Sequence, residues 1–329
     1  MSSSRLIMEG SGIVYHYTSL DTFFKILDGI KYEHFIFHGT DIFSMNDPTE
    51  FIHGFRQLWK ILPQIEKDLY EKIRNNPQIY SVDKTFLDKR YRLSNMWDSK
   101  KGSNKSWLKA YVDEMHQSYK TPFVISFSCH EDYLPMWSTY GDKGNGIALG
   151  IDIQSYFRKT IMDDGTTLYD LTSFGSDDLF SLLVSYDPIT KNHPISKYAG
   201  ICIENYLKTI QSQNIDDETL LSLQFRALVN LTRYASALIK NEAYKYEKES
   251  RLVCFCNDTK GVQFKISSTK KVLPYIHVDI PVSKLKKVVI GPCCDFKAVK
   301  TALKTRFMQL GIILNDDDIV NSKVPYRHL

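Results

Sequence analysis

Two glutamates, Glu247 and Glu249, stand two residues apart in "AYKYEKESRLVCF", with Arg251 two further on. If the segment is extended, as the alternation of "RLVCF" suggests, all three side chains project from one face. Carboxylates held so close raise each other's pKa unless a cation or a ligand hydroxyl compensates, and Arg251 is placed to do so. Such a pair can stabilise a developing positive charge and align or deprotonate a nucleophile. The plainer reading is a solvated strand end.

Other stretches hold polar groups where elements meet. In "IVYHYTS", His16 and Tyr17 close an apolar run, and Thr18 and Ser19 precede a helix start, where free backbone N–H groups suit anionic ligands. A histidine that merely ends a strand is the alternative. Ser126 and Ser128 alternate in "FVISFSC", so both hydroxyls share a side, as ordinary strand serines also do. In "MWSTYG", Trp137 and Tyr140 are three apart on a helical turn and could sandwich a flat ring, or belong to the core. The turn "NDPTE" offers Asn46, Asp47 and Glu50, which a helix start explains equally.

Several chemistries lack their signatures. His34 and His38 in "HFIFH" have i,i+4 spacing without the acid of a zinc-protease helix. The glycines of "GDKGNGIALG" precede a strand, the reverse of the dinucleotide-binding order of strand, glycines, helix. Neither a nucleophile elbow nor a phosphate-binding P-loop occurs. Six cysteines without regular spacing read as reduced thiols of a cytoplasmic protein. No signal peptide or membrane span is legible, so no membrane partner is expected.

The elements that must position these groups alternate along the chain. Strands are expected at 11–19, within 34–51 as a strand and turn, at 122–130, within 133–152, in "RLVCF" and in "GVQFKIS", "YIHVDIP" and "KKVVIGP". A capped helix should follow Ser19 or Asp21, burying Phe23, Phe24 and Leu27 and stopping at Gly29; another should begin at Asp295 and stop at Gly311. Helical spacing dominates about 51–120 and 176–245. With no repeat, the 329 residues read as a single α+β domain, 1–329, carrying those two blocks as helical insertions. The net charge of +4 is compatible with an anionic partner; the basic stretches "SKKGSNK" and "STKKV" say more.

The order "VYHYTS", "IFSMNDPTEF", "FVISFS", "MWSTYGDKGNGIALGID", "YEKESRLV", "LKKVVIGP" resembles the bacterial family known as domain of unknown function 2971, from about residue 14 to the final helix. More distantly it resembles the ADP-ribosyltransferase fold, whose split mixed or antiparallel sheet carries a polar residue on the first strand, a serine strand and a late ExE pair. That resemblance implies NAD as substrate. His16 would hold its adenosine-side ribose, with Tyr17, Thr18 and Asn46 shaping the pocket. Ser126 and Ser128 would brace the nicotinamide pocket, and Trp137 or Tyr140 would stack on the ring. Glu249 would bond the nicotinamide ribose, Glu247 would face the acceptor, and Arg251 would keep the pair ionised. Histidine and serines occur together here, a mixture of two transferase subclasses.

The expected activity is therefore NAD-dependent ADP-ribosylation of a cytoplasmic macromolecule, nucleic acid (RNA or DNA) before protein. A toxin or phage-defence role with a neutralising antitoxin protein follows from the resemblance. The alternatives are a metal-dependent nuclease using Asp47, Glu50, Glu247 and Glu249, and a non-catalytic sensor binding a nucleotide or partner in the same cleft.

Overall fold

The first strand, β1 (Ile13–Ser19), runs directly into helix α1 (Leu20–Asp28). Ser19 caps that helix by accepting a hydrogen bond from the Thr22 N–H, and Gly29 ends it. Phe23 and Leu27 are buried as expected, while Phe24 packs at the margin of the same core. The computed structural model describes residues 12–47, 49–97, 113, 115, 121–153, 158–161, 167–170, 178–186, 189–190, 193–212, 215–255, 259–267 and 270–326. The basic stretch at 99–105 and the first two residues of "STKKV" lie outside them.

After β2 (His34–Asp41) the chain turns into the long helix α2 (Glu50–Asn75). Strand β3 (Pro122–Ser128), the short helix α3 (Leu134–Thr139) and strand β4 (Gly146–Asp152) follow. A small hairpin, β5 (Arg158–Ile161) and β6 (Thr167–Asp170), stands apart from the main sheet. The block at 176–245 begins not with helix but with β7 (Asp178–Leu183), and only then gives α4 (Pro194–Gln211) and α5 (Asp217–Leu238). Periodicity could not separate the short apolar run of β7 from a helical turn. The chain closes with β8 (Glu249–Phe255), β9 (Gln263–Ile266), β10 (Val272–Pro281), β11 (Leu285–Ile290), α6 (Phe296–Gln309) and β12 (Ile319–Asn321).

Together the strands form an open, mostly antiparallel ten-stranded sheet in an α+β fold. Its main path runs β12-β11-β4-β1-β3-β2-β10-β9, with β8 and β7 joined through β3. β8 occupies one edge of β3 along its whole length, from Pro122↔Phe255 to Ser128↔Glu249. Since a strand has only two edges, β1 and β2 must share the other. β1 pairs there at Ser128 and β2 at Phe123 and Val124. Between those contacts the sheet forks.

β8 is buried throughout because both of its faces are covered. Leu252 and Cys254 join the core under α1 and α6. Val253 and Phe255, on the opposite face, join a second core with α2, α4 and α5. Glu249 and Arg251 share that second face by period-two alternation. The helical blocks are thus the lid over the face of β8 that carries the charged residues.

Candidate functional site

The fork opens into a cleft of about 300 Å³ lined by β1, β2, β3 and the segments around Tyr140 and Glu247. His16, Asn46, Ser126, Ser128, Tyr140, Glu247 and Glu249 all line it, so residues more than 230 positions apart in the chain meet there.

His16 fills the gap in the fork. Its Nδ1 lies 3.1 Å from the Ser126 carbonyl oxygen, on the edge of β3 that neither β1 nor β2 covers at that point. A carbonyl can only accept, so Nδ1 carries the proton and Nε2 is left as an acceptor. Phe37 and Phe127 pack edge-on to the ring at 5.2 and 5.7 Å between centroids. Burial lowers the imidazole pKa, the Ser126 carbonyl opposing only in part, so His16 is neutral near pH 7.

Opposite it stands a buried charge cluster. Arg251, with no exposed surface, donates from Nε to Glu249 Oε1 and from Nη2 to Glu249 Oε2, both at 2.9 Å. The same guanidinium bonds Glu50 and, through Nη1, the Ala237 carbonyl at 2.9 Å. Lys240 lies between the two strand-mouth acids, 2.6 Å from Glu247 Oε2 and 2.9 Å from Glu249 Oε2. The Tyr140 hydroxyl donates to Glu247 Oε1 at 2.8 Å and accepts from Asn46 Nδ2 at 3.2 Å. Burial pushes the Glu249 carboxyl up, but Arg251 and Lys240 overcome it and hold it at about 2. Burial raises Glu50, which shares Arg251 with Glu249 and has less cationic company. Glu50 is therefore readier than Glu249 to carry a proton.

The route by which Glu247 reaches the cleft differs from the extended one read from the sequence. Glu247 ends a 3₁₀ turn, Glu242–Glu247, and Lys248 adopts left-handed angles of φ 40° and ψ 57° before β8 begins at Glu249. The turn satisfies its own backbone bonds and leaves the Glu247 carbonyl to accept from Ser128 Oγ at 2.8 Å. The two acids converge through Lys240, not through strand alternation.

Trp137 does not offer a face to the cleft. It is fully buried, packs edge-on against Tyr17 at 4.8 Å, and donates from its indole nitrogen to Asp132 at 2.6 Å. Thr18 is buried away from the cleft, and Arg251 stands behind it as support. Tyr17 reaches the cleft wall, but its hydroxyl donates to the His130 carbonyl at 2.9 Å. Asp47 serves the turn, accepting from the Thr49 N–H and hydroxyl at 2.8 and 2.7 Å. Among the described residues no group of three or more His, Cys, Asp or Glu side chains is arranged to hold a metal ion.

Lys240 and the role of Glu50 were missed in the sequence. Lys240 sits just past α5 in "ALIKNEAY", where a lysine ordinarily reads as a solvated helix end. The one available signal was arithmetic: two acids beside one arginine need a second cation once buried.

Residues 136–252 match the model of a family described as "Protein of unknown function (DUF2971)". The match takes in Tyr140, Lys240, Glu247, Glu249 and Arg251, and stops short of His16, Asn46, Ser126 and Ser128. No curated protein and no solved structure matches the chain. Among the described residues no helix is long and apolar enough to cross a membrane.

Proposed function

We propose that the cleft binds NAD as a substrate and transfers its ADP-ribosyl group to a macromolecule of the cytoplasm, nucleic acid before protein. The observation that carries this reading is the placement of neutral His16 and ionised Glu249 on two walls of one cleft. Its volume of about 300 Å³ suits a ring and its ribose, at the small end of ligand pockets. His16 Nε2 can accept from a ribose hydroxyl. Glu249 would accept from the hydroxyl of the second ribose and stabilise the positive charge that develops at its anomeric carbon. There the bond to the nicotinamide nitrogen breaks, and its electron pair leaves with the ring. Glu247 would take the proton of the attacking acceptor group as the new bond forms. Arg251 and Lys240 keep Glu249 ionised in a buried setting, and Lys240 pairs with Glu247 beside it.

The biological setting is the one the resemblance implies. An enzyme that modifies macromolecules of its own cell needs restraint, so a toxin or phage-defence effector with a neutralising protein partner is part of the proposal.

A second reading, a nucleotide sensor without turnover, draws on the saturation of Glu249 by three charge-assisted bonds. The two part in one experiment. Purified protein is incubated with NAD labelled in its adenylate half and cell extract, with nuclease and protease arms, and nicotinamide release is followed. The transferase reading expects label in a nuclease-sensitive product and a loss of about 100-fold or more in Glu249→Gln. Stabilisation by NAD without nicotinamide release or label transfer would establish the sensor.

A further inference from the structure

A second hollow, of about 530 Å³, lies on the other side of His16 and shares His16, His38 and Thr40 with the cleft. Its walls come from α1, the turn after it, β2, β9 and β10. They bring together Lys25, Lys31, Lys265, His38 and His277, and among the described residues no carboxylate lines it. Of these groups, Lys25 alone has an acid partner among the described residues, Asp21 at 2.6 Å, and that pair is largely solvated. Asp279 follows His277 on the same side of β10 but stands outside the lining.

The cationic groups are packed against one another and against aromatic rings. Lys265 Nζ is 3.4 Å from His38 Nδ1 and sits 5.3 Å above the centre of the Tyr275 ring. His38 lies 4.2 Å from the Tyr275 ring and stacks on His277 at 5.4 Å. Burial, with Lys265 and His277 alongside, holds His38 down to about 4, so the lysines carry the charge. Like charges gathered without a counter-charge are costly unless an anion joins them.

We propose that this hollow binds phosphate oxyanions, receiving the phosphate end of a ligand whose other end enters the cleft past His16. Lys31 and Lys265 supply charge-assisted hydrogen bonds, and the stacked rings of His38 and His277 line the hollow beside them. The inference stands on the hollow itself and does not depend on transferase chemistry in the cleft. A free nucleotide and a nucleic-acid strand share the phosphate chemistry, and competition separates them.

The test is calorimetric titration of inorganic pyrophosphate into the full chain, with folding checked by circular dichroism. Wild type should saturate at one site, the double variant Lys31→Ala/Lys265→Ala should bind about tenfold more weakly or worse, and Lys31→Ala should fall between. Lys304→Ala, on α6 and paired with Asp316 at 2.5 Å, should match wild type. Displacement by ADP supports a nucleotide ligand, and displacement by a ten-nucleotide thymidine strand alone supports a nucleic acid. Absence of saturable binding, equal losses in Lys304→Ala and the double variant, or displacement by neither competitor would overturn the proposal. Glu249→Gln should leave the titration unchanged, so a failed transferase assay does not decide it.

Discussion

Lys240 Nζ bridges Glu247 and Glu249, at 2.6 and 2.9 Å, with about 4% of its side chain exposed. Without it Glu249 would lose one of the two cations that hold its carboxyl down, and Glu247 would lose its buried partner. Replacing Lys240 with Met should cost about 3–5 kcal/mol, because two buried carboxylates lose a shared cation. In urea melts, Lys240→Met/Glu247→Gln should recover part of that loss. Additive losses would show that Lys240 and Glu247 do not couple.

Glu249 sets an acid limb of stability. Its folded pKa of about 2 lies below the ordinary value of 4.5, so its contribution is fully present above 4.5. That contribution is lost as pH falls from about 4.5 to about 2 and amounts to about 3 kcal/mol over the window. Glu50 and Glu66, raised by burial, act in the opposite sense, so the comparison must be made against a variant. The stability gap between wild type and Glu249→Gln should shrink across that window in pH-dependent denaturant titrations. A gap independent of pH would mean that Glu249 is not ionised as described.

Gly54 lets α2 lie against α5. A Cβ there would stand 2.6 Å from both the Ala235 carbonyl oxygen and the Ser236 Cα, contacts with rigid backbone. Gly54→Ala should therefore part the helices and cost about 1–3 kcal/mol. Because Glu50 opens α2 one turn earlier and bonds Arg251, ligand binding in the cleft should weaken too. Unchanged melting and binding would remove α2 from the support of the cluster.

Tyr140 joins Asn46 to Glu247 at the cleft wall. Tyr140→Phe keeps the ring and deletes both bonds, for a stability loss of about 1 kcal/mol. Under the transferase reading, turnover should fall more than NAD binding, since the acid that faces the acceptor loses its anchor. Equal loss in KM alone would place Tyr140 in substrate binding.

His16→Phe preserves an aromatic plug in the fork while removing the Nε2 acceptor and the bond to Ser126. Affinity for NAD should drop about tenfold with turnover nearly kept. A variant that binds as wild type does would exclude a ribose contact at His16.

The local chemistry of several elements was legible directly. Ser19 as a cap, Gly29 as a stop, Asp295 as the start of the last helix and the paired faces of Ser126 and Ser128 depend on neighbouring residues only. So did the gathering of Glu249 with Arg251, since both lie on one face of one strand. Trp137 and Tyr140 show the limit: three residues apart on one turn, they part company because Asp132 and Tyr17 claim the indole while Glu247 and Asn46 claim the phenol.

Spacing along the chain thus determined most strands of the main sheet, though not β7, and the caps and the acid–arginine pair, because period and capping are short-range properties. Only the fold decided that β1 and β2 would share one edge of β3, opening the cleft with His16 in the gap. Only the fold, too, carried Lys240 and Glu50 to the acids. Their meeting depends on long-range packing of α2 and α5 over β8, and the partner of a buried charge is set by what surrounds it in space, not by its neighbours in sequence.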